Sequence, residues 1–123
     1  MRSILLSGLF VLQFLIGSAI AGEADVINAK AREIDRGVWR ISATVSHTDE
    51  GWSHYADKWE VVGPDGIVIG TRALAHPHEN EQPFTRTLGA VRIDPALTSV
   101  QIRAHDSVHG YGGKEFTLSL PKK

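Results

Sequence analysis

The sequence predicts an all-β fold: a seven-stranded antiparallel β-sandwich of immunoglobulin or fibronectin type III-like kind, with no disulfide. Three observations carry this expectation. Short segments rich in Val, Ile, Thr and aromatics recur along the chain, several alternate apolar and polar residues with period two, and Gly- or Pro-containing turns separate them. Seven such segments in roughly one hundred residues match a sandwich of this class. A small closed barrel is the runner-up.

The first segment is predicted over residues 25–34 and closes at Asp35-Arg36-Gly37. The second, 38–47, sets Trp39, Ile41, Ala43 and Val45 on one face and Arg40, Ser42, Thr44 and Ser46 on the other. The third, 54–62, aligns Tyr55, Asp57, Trp59 and Val61 against Lys58 and Glu60, and ends at the turn Gly63-Pro64-Asp65-Gly66. Trp59 is placed where such sandwiches keep a central aromatic. The fourth covers 67–75. A loop with His76-Pro77-His78 leads to the fifth, 83–93, which Gly89 is expected to break or bulge. After Asp94-Pro95 the sixth, 99–106, alternates Val100, Ile102 and Ala104 against Gln101 and Arg103. The seventh, 114–120, is expected to bury Phe116, Leu118 and Leu120.

Residues 1–21 fall outside this pattern. Arg2, an apolar run over 4–16 and the small-residue signature Ala19-Ile20-Ala21 predict a cleaved signal peptide, with residues 22–123 as a single domain in the periplasm or secreted. The apolar run is short for a membrane span, and retention as an uncleaved anchor is the lesser alternative. Without cysteine, neither a disulfide framework nor a lipid-anchored terminus is expected of this chain. Loss of Arg2 leaves 12 basic against 14 acidic residues, so nothing favours nucleic acid or an anionic membrane surface as a partner.

The six histidines form three pairs: His47 and His54, His76 and His78, His105 and His109. If each strand reverses direction, the stretches 47–54, 76–82 and 107–113 lie at one end, whichever strands become neighbours. The turns at the other end carry no histidine. Imidazole, together with Asp49, Glu50, Glu79, Glu81 and Asp106, suits copper(II) or zinc, whereas the soft ligands of copper(I) are missing once Met1 is removed. The favoured ligands are His47, His76 and His78, the last two projecting to one side across Pro77, followed by His54 and His109. His105 shares the outward phase of Gln101 and Arg103. The plainer alternative is that single loop histidines are hydrogen-bonded structural residues, and no compact metal signature is present.

Asp57 and Asp106 carry the inward phase of their strands, and Arg86 shares that of Phe84 and Leu88. A structural ion pair from Arg86 to one aspartate is expected, or else the aspartates orient histidine rings. Trp52, Tyr55 and Tyr111 are candidates for ligand contact or for covering the end of the core. Ser53 and Ser107 sit near histidines without an elbow or triad motif, so no catalytic residue is assigned and the protein is expected not to be an enzyme.

The stretches EGWSHYADKWEVVGPDG at 50–66, GTRALAHPHENEQPFTR at 70–86 and RAHDSVHGYGG at 103–113 resemble a group of small uncharacterised exported proteins of proteobacteria. The resemblance implies export and a compact β domain, and transfers no functional residue. The leading expectation is a binding or carrier protein for copper(II) or zinc. The competing one is an immunoglobulin-like module that contacts a protein or glycan, with histidines tuning its pH response.

Overall fold

The computed structural model describes residues 22–121, so the expected leader lies outside the described residues. Seven strands follow one another: β1 (Asp25–Asp35), β2 (Val38–Ser46), β3 (Ala56–Val62), β4 (Val68–Ala73), β5 (Phe84–Arg92), β6 (Ser99–Asp106) and β7 (Phe116–Ser119). They form two antiparallel sheets, β1-β2-β5 and β4-β3-β6-β7, so the connections β2 to β3, β4 to β5 and β5 to β6 each cross between sheets. The β-sandwich expected from the alternation is therefore present.

The alternating residues meet between the sheets. Trp39, Ile41, Ala43 and Val45 of β2 are buried against Trp59 and Val61 of β3, Val100, Ile102 and Ala104 of β6, and Phe84 of β5. Burying the two tryptophans accounts for much of the apolar surface that holds the layers together. Phe116 is only partly buried, at the margin of this core. The expected irregularity in β5 is a register shift: Trp39 faces Val91 whereas Ile41 faces Leu88, which leaves an extra residue in the Gly89–Ala90 stretch.

A second shift, between Ala56 and Lys58 where β3 meets β6, corrects the reading of Asp57. Ala56 and Trp59 both point inward, so the bulge turns Asp57 to the outer face, where it lies 2.6 Å from His105. Arg86 meets neither aspartate. Its guanidinium pairs with Glu81 at 3.0 Å and lies over the Phe84 ring. Asp106 is fully buried at the end of β6, as its phase predicts.

The start of β1 is anchored by the loop before β7. The Lys114 amide donates to Asp25 Oδ1 at 2.7 Å and the Val26 amide to the Lys114 carbonyl at 2.8 Å. Gly113 packs so closely on the Ala24 carbonyl that a side-chain methyl would overlap it and also approach Asp25 Oδ1 to 2.8 Å. Because the clash is with backbone, Gly113→Ala is expected to cost about 1–3 kcal/mol, read as a lower midpoint in denaturant titration.

Candidate metal centre

The loop from β2 to β3 leaves the sandwich at His47 and folds back at once. The Glu50 amide donates to the His54 carbonyl at 2.7 Å and the His54 amide to Gly51 at 3.3 Å, with Gly51 in the left-handed region at φ 79°. This tight turn returns His54 onto His47, and their Nε2 atoms lie 3.3 Å apart. Asp106, at the tip of β6, closes the group: Oδ1 is 3.3 Å from His54 Nε2 and Oδ2 is 4.0 Å from His47 Nε2. One ligand atom from each of the three residues lies within 4.8 Å of the others, and all three residues are buried.

The surroundings decide where the lone pairs point. Asp49 accepts from the Ala56 amide at 3.0 Å through Oδ1 and from the His78 amide at 2.7 Å through Oδ2. With both oxygens already accepting, the contact of Oδ1 with His47 Nδ1 at 2.5 Å is a bond donated by the ring. His54 Nδ1 faces Glu50 Oε1 at 2.9 Å in the same sense. In neutral rings both Nε2 atoms therefore carry lone pairs, directed at each other and at a carboxylate. Acceptors crowded in this way repel unless positive charge lies among them, and carboxylate–imidazole pairs are the usual support of metal-bound histidine.

The spacing suits an ion. Two donors about 2.05 Å from one tetrahedral ion stand about 3.3 Å apart, which is the separation of the two Nε2 atoms and of His54 Nε2 from Asp106 Oδ1. Burial pushes the Asp106 carboxyl upward. The His109 and Val108 amides, donating to Oδ1 at 2.7 and 2.9 Å, outweigh it together with His47 and His109, and hold the group below its ordinary value. Asp106 Oδ2 has no hydrogen-bond partner although it is buried. His109 adds a further ring at the edge, with Nδ1 at 3.3 Å from Asp106 Oδ1 and its side chain about a third exposed.

The other predicted residues are placed differently. His76 is exposed and donates from Nδ1 to the Pro77 carbonyl at 3.0 Å. His78 is buried and stacked flat on Phe84 at 4.0 Å, and it touches the centre through its backbone amide on Asp49. Gln82 joins the two loops, accepting from the His47 amide and donating to the His78 carbonyl, each at 3.0 Å. Trp52 is exposed and meets Tyr55 edge to face. Tyr111 lies instead on the outer face of the four-stranded sheet, where its hydroxyl and the Arg103 guanidinium each bond Glu60 at 2.9 Å. Burial raises the Glu60 carboxyl, but these two bonds prevail and lower it overall. This cluster gives a buried glutamate its partners and needs no ligand to explain it.

Burial is the main cause that lowers His78, helped by Arg86 and His76 and opposed by Asp49 and Glu81. The folded ring thus resists a proton that the unfolded chain accepts near its ordinary value of 6.5. Its contribution to stability is full above that pH and is lost as pH falls through 6.5 toward the lowered folded value. In metal-free buffer, His78→Phe, which keeps the stack on Phe84, is expected to make the thermal midpoint less dependent on pH across this window. A slope unchanged from the parent's would refute it.

The chain is 36% identical over 96 residues to a protein of the archaeon Halomicrobium mukohataei described as a "Putative lipoprotein". The match covers 78% of this chain and 47% of that protein, so the chain spans about half the length of the relative. This relative is archaeal, not proteobacterial as the resemblance implied. No family model and no solved structure matches the chain. Among the described residues, no helix is long and apolar enough to cross a membrane.

Proposed function

We propose that this is an exported binding protein that holds a divalent transition ion, copper(II) or zinc, between His47, His54 and Asp106, with His109 beside them. The observation that supports it most is the buried Asp106 carboxylate, with Oδ2 unpartnered 4.0 Å from His47 Nε2 and Oδ1 3.3 Å from His54 Nε2, beside two histidines whose Nδ1 atoms are engaged by Asp49 and Glu50. The predicted leader and the lipoprotein description of the relative support export to the periplasm or the medium. We read the role as binding or carriage, without catalysis. The side chains of His47 and Asp106 have no exposure, whereas a catalytic ion keeps an open position for substrate. We also read the sandwich as immunoglobulin or fibronectin type III-like, on its three-on-four sheets and crossing connections.

Calorimetric titration of the purified protein with zinc and with copper(II) tests the proposal. One saturable site is expected, and no site tighter than ~10 μM for either ion would sink it. The two pairs of histidines separate under the same titration. The double variant His47→Ala with His54→Ala is expected to lose binding, whereas His76→Ala with His78→Ala is expected to retain it within a few-fold. The opposite ranking would move the site to the loop between β4 and β5.

A further inference from the structure

A fourth group faces the same centre and belongs to neither a histidine nor a carboxylate. The Gly22 carbonyl oxygen lies 3.0 Å from His47 Nε2. That nitrogen carries a lone pair in the neutral ring, because its Nδ1 proton is engaged by Asp49. Two acceptors at this distance need a cation or an added proton near them, so the Gly22 carbonyl shares the electrostatic demand of the three side chains. It is held there by structure. Ala24 is buried, and the segment is pinned by the Asp25–Lys114 and Val26–Lys114 bonds and by the glycine contact at Gly113.

Gly22 is also the residue that follows the predicted cleavage signature Ala19-Ile20-Ala21. Hydrolysis of the Ala21–Gly22 peptide bond by a signal peptidase adds one water, leaving a carboxylate on Ala21 and a primary amine on Gly22. An amide nitrogen has its lone pair delocalised into the carbonyl and is a poor neutral ligand, whereas an amine is a good one. The amine nitrogen and carbonyl oxygen of one residue close a five-membered ring on a single ion.

Resting on the metal reading above, we propose that the processed N-terminus is itself a ligand: leader removal creates the Gly22 amine that completes the centre with His47, His54 and Asp106. The donor set is then completed only in the exported, processed protein. A third nitrogen donor favours copper(II) over zinc, in keeping with the general order of affinities.

Among the described residues, all seven strands and the core lie within 22–121, so a chain beginning at Gly22 keeps every element on which the site rests. The test compares that chain with one retaining Ala21, in which the Gly22 nitrogen is an amide. Both are titrated with copper(II), and the spin-resonance spectra of both are recorded after labelling with 15N-glycine. The extended chain is expected to bind at least about tenfold more weakly and to lose the glycine nitrogen coupling that the processed chain shows. Equal affinity with no such coupling in either would overturn this inference and leave the three-residue site standing. Binding by neither would overturn the metal reading itself. A mass spectrum of the exported full-length product that begins at any residue other than Gly22 would also overturn the inference.

Discussion

Asp106→Asn is expected to abolish metal binding while leaving the metal-free protein folded. The Asp106 Oδ1 atom holds the turn after β6 by accepting the Val108 and His109 amides, and an asparagine oxygen accepts the same two bonds. The amide NH2 then replaces Oδ2, which is buried and unpartnered and lies 4.0 Å from His47 Nε2. In the metal-free protein the new donor among lone pairs offsets part of what is lost with the charge, which the fold favours, so stability is expected to change by no more than about 1 kcal/mol. Toward a cation it removes the only anionic member of the triad and aims two N–H groups at the ion. Affinity is expected to fall more than about a hundredfold, beyond the usual effect of a supporting residue.

The two halves of this expectation are read together by thermal unfolding with and without zinc. At free zinc a hundred times the dissociation constant, the parent is stabilised by about 2.7 kcal/mol. The variant is expected to gain nothing at the same concentration. A variant that unfolds without metal would show Asp106 to be structural, and one that zinc still stabilises fully would remove it from the donor set.

Much of the fold was legible in the chain because β2, β6 and the Gly63–Gly66 turn obey local rules. Trp39 to Val45 and Val100 to Ala104 alternate cleanly, and burial follows the alternation. Strand direction alone brought the loops bearing His47, His54 and His109 to one end. The β3 bulge was not legible, since Tyr55, Asp57 and Trp59 alternate without interruption in sequence and the shift exists only against β6. That single shift turns Asp57 to the outer face. The course of the residues between β4 and β5 was equally hidden, because Asp49 grips the backbone of His78 and Phe84 takes up its ring. Residues two apart in sequence suggested a shared ligand edge for His76 and His78; their rings do lie 4.8 Å apart, but His76 is exposed whereas His78 is buried flat on Phe84. The position of Gly22 depends on which loop pins β1, a long-range contact that no periodicity reports.

Asp49→Ala is expected to weaken both the fold and the site, and Glu50→Ala only the site. Each carboxylate faces the Nδ1 of one histidine, at 2.5 Å for Asp49 and 2.9 Å for Glu50, so a purely local view would rank them alike. Their other contacts separate them. Asp49 has no side-chain exposure and accepts the amides of Ala56 and His78, which ties the start of β3 to the residues between β4 and β5. Its removal orphans two backbone donors and a ring N–H in a dry place, at a cost on the order of 3–5 kcal/mol. For a domain of this size that lowers the thermal midpoint by roughly 10 °C or more. Glu50 is about half exposed, and water replaces it at His54 Nδ1, so its loss is expected to leave the midpoint in place and to weaken metal binding only a few-fold. Asp49→Ala protein that remains folded is expected to bind the ion about 10- to 100-fold more weakly, because His47 Nδ1 then lacks the acceptor that fixes its tautomer. Equal effects of the two substitutions on the midpoint would overturn this ranking, because the backbone bonds of Asp49 would then contribute nothing.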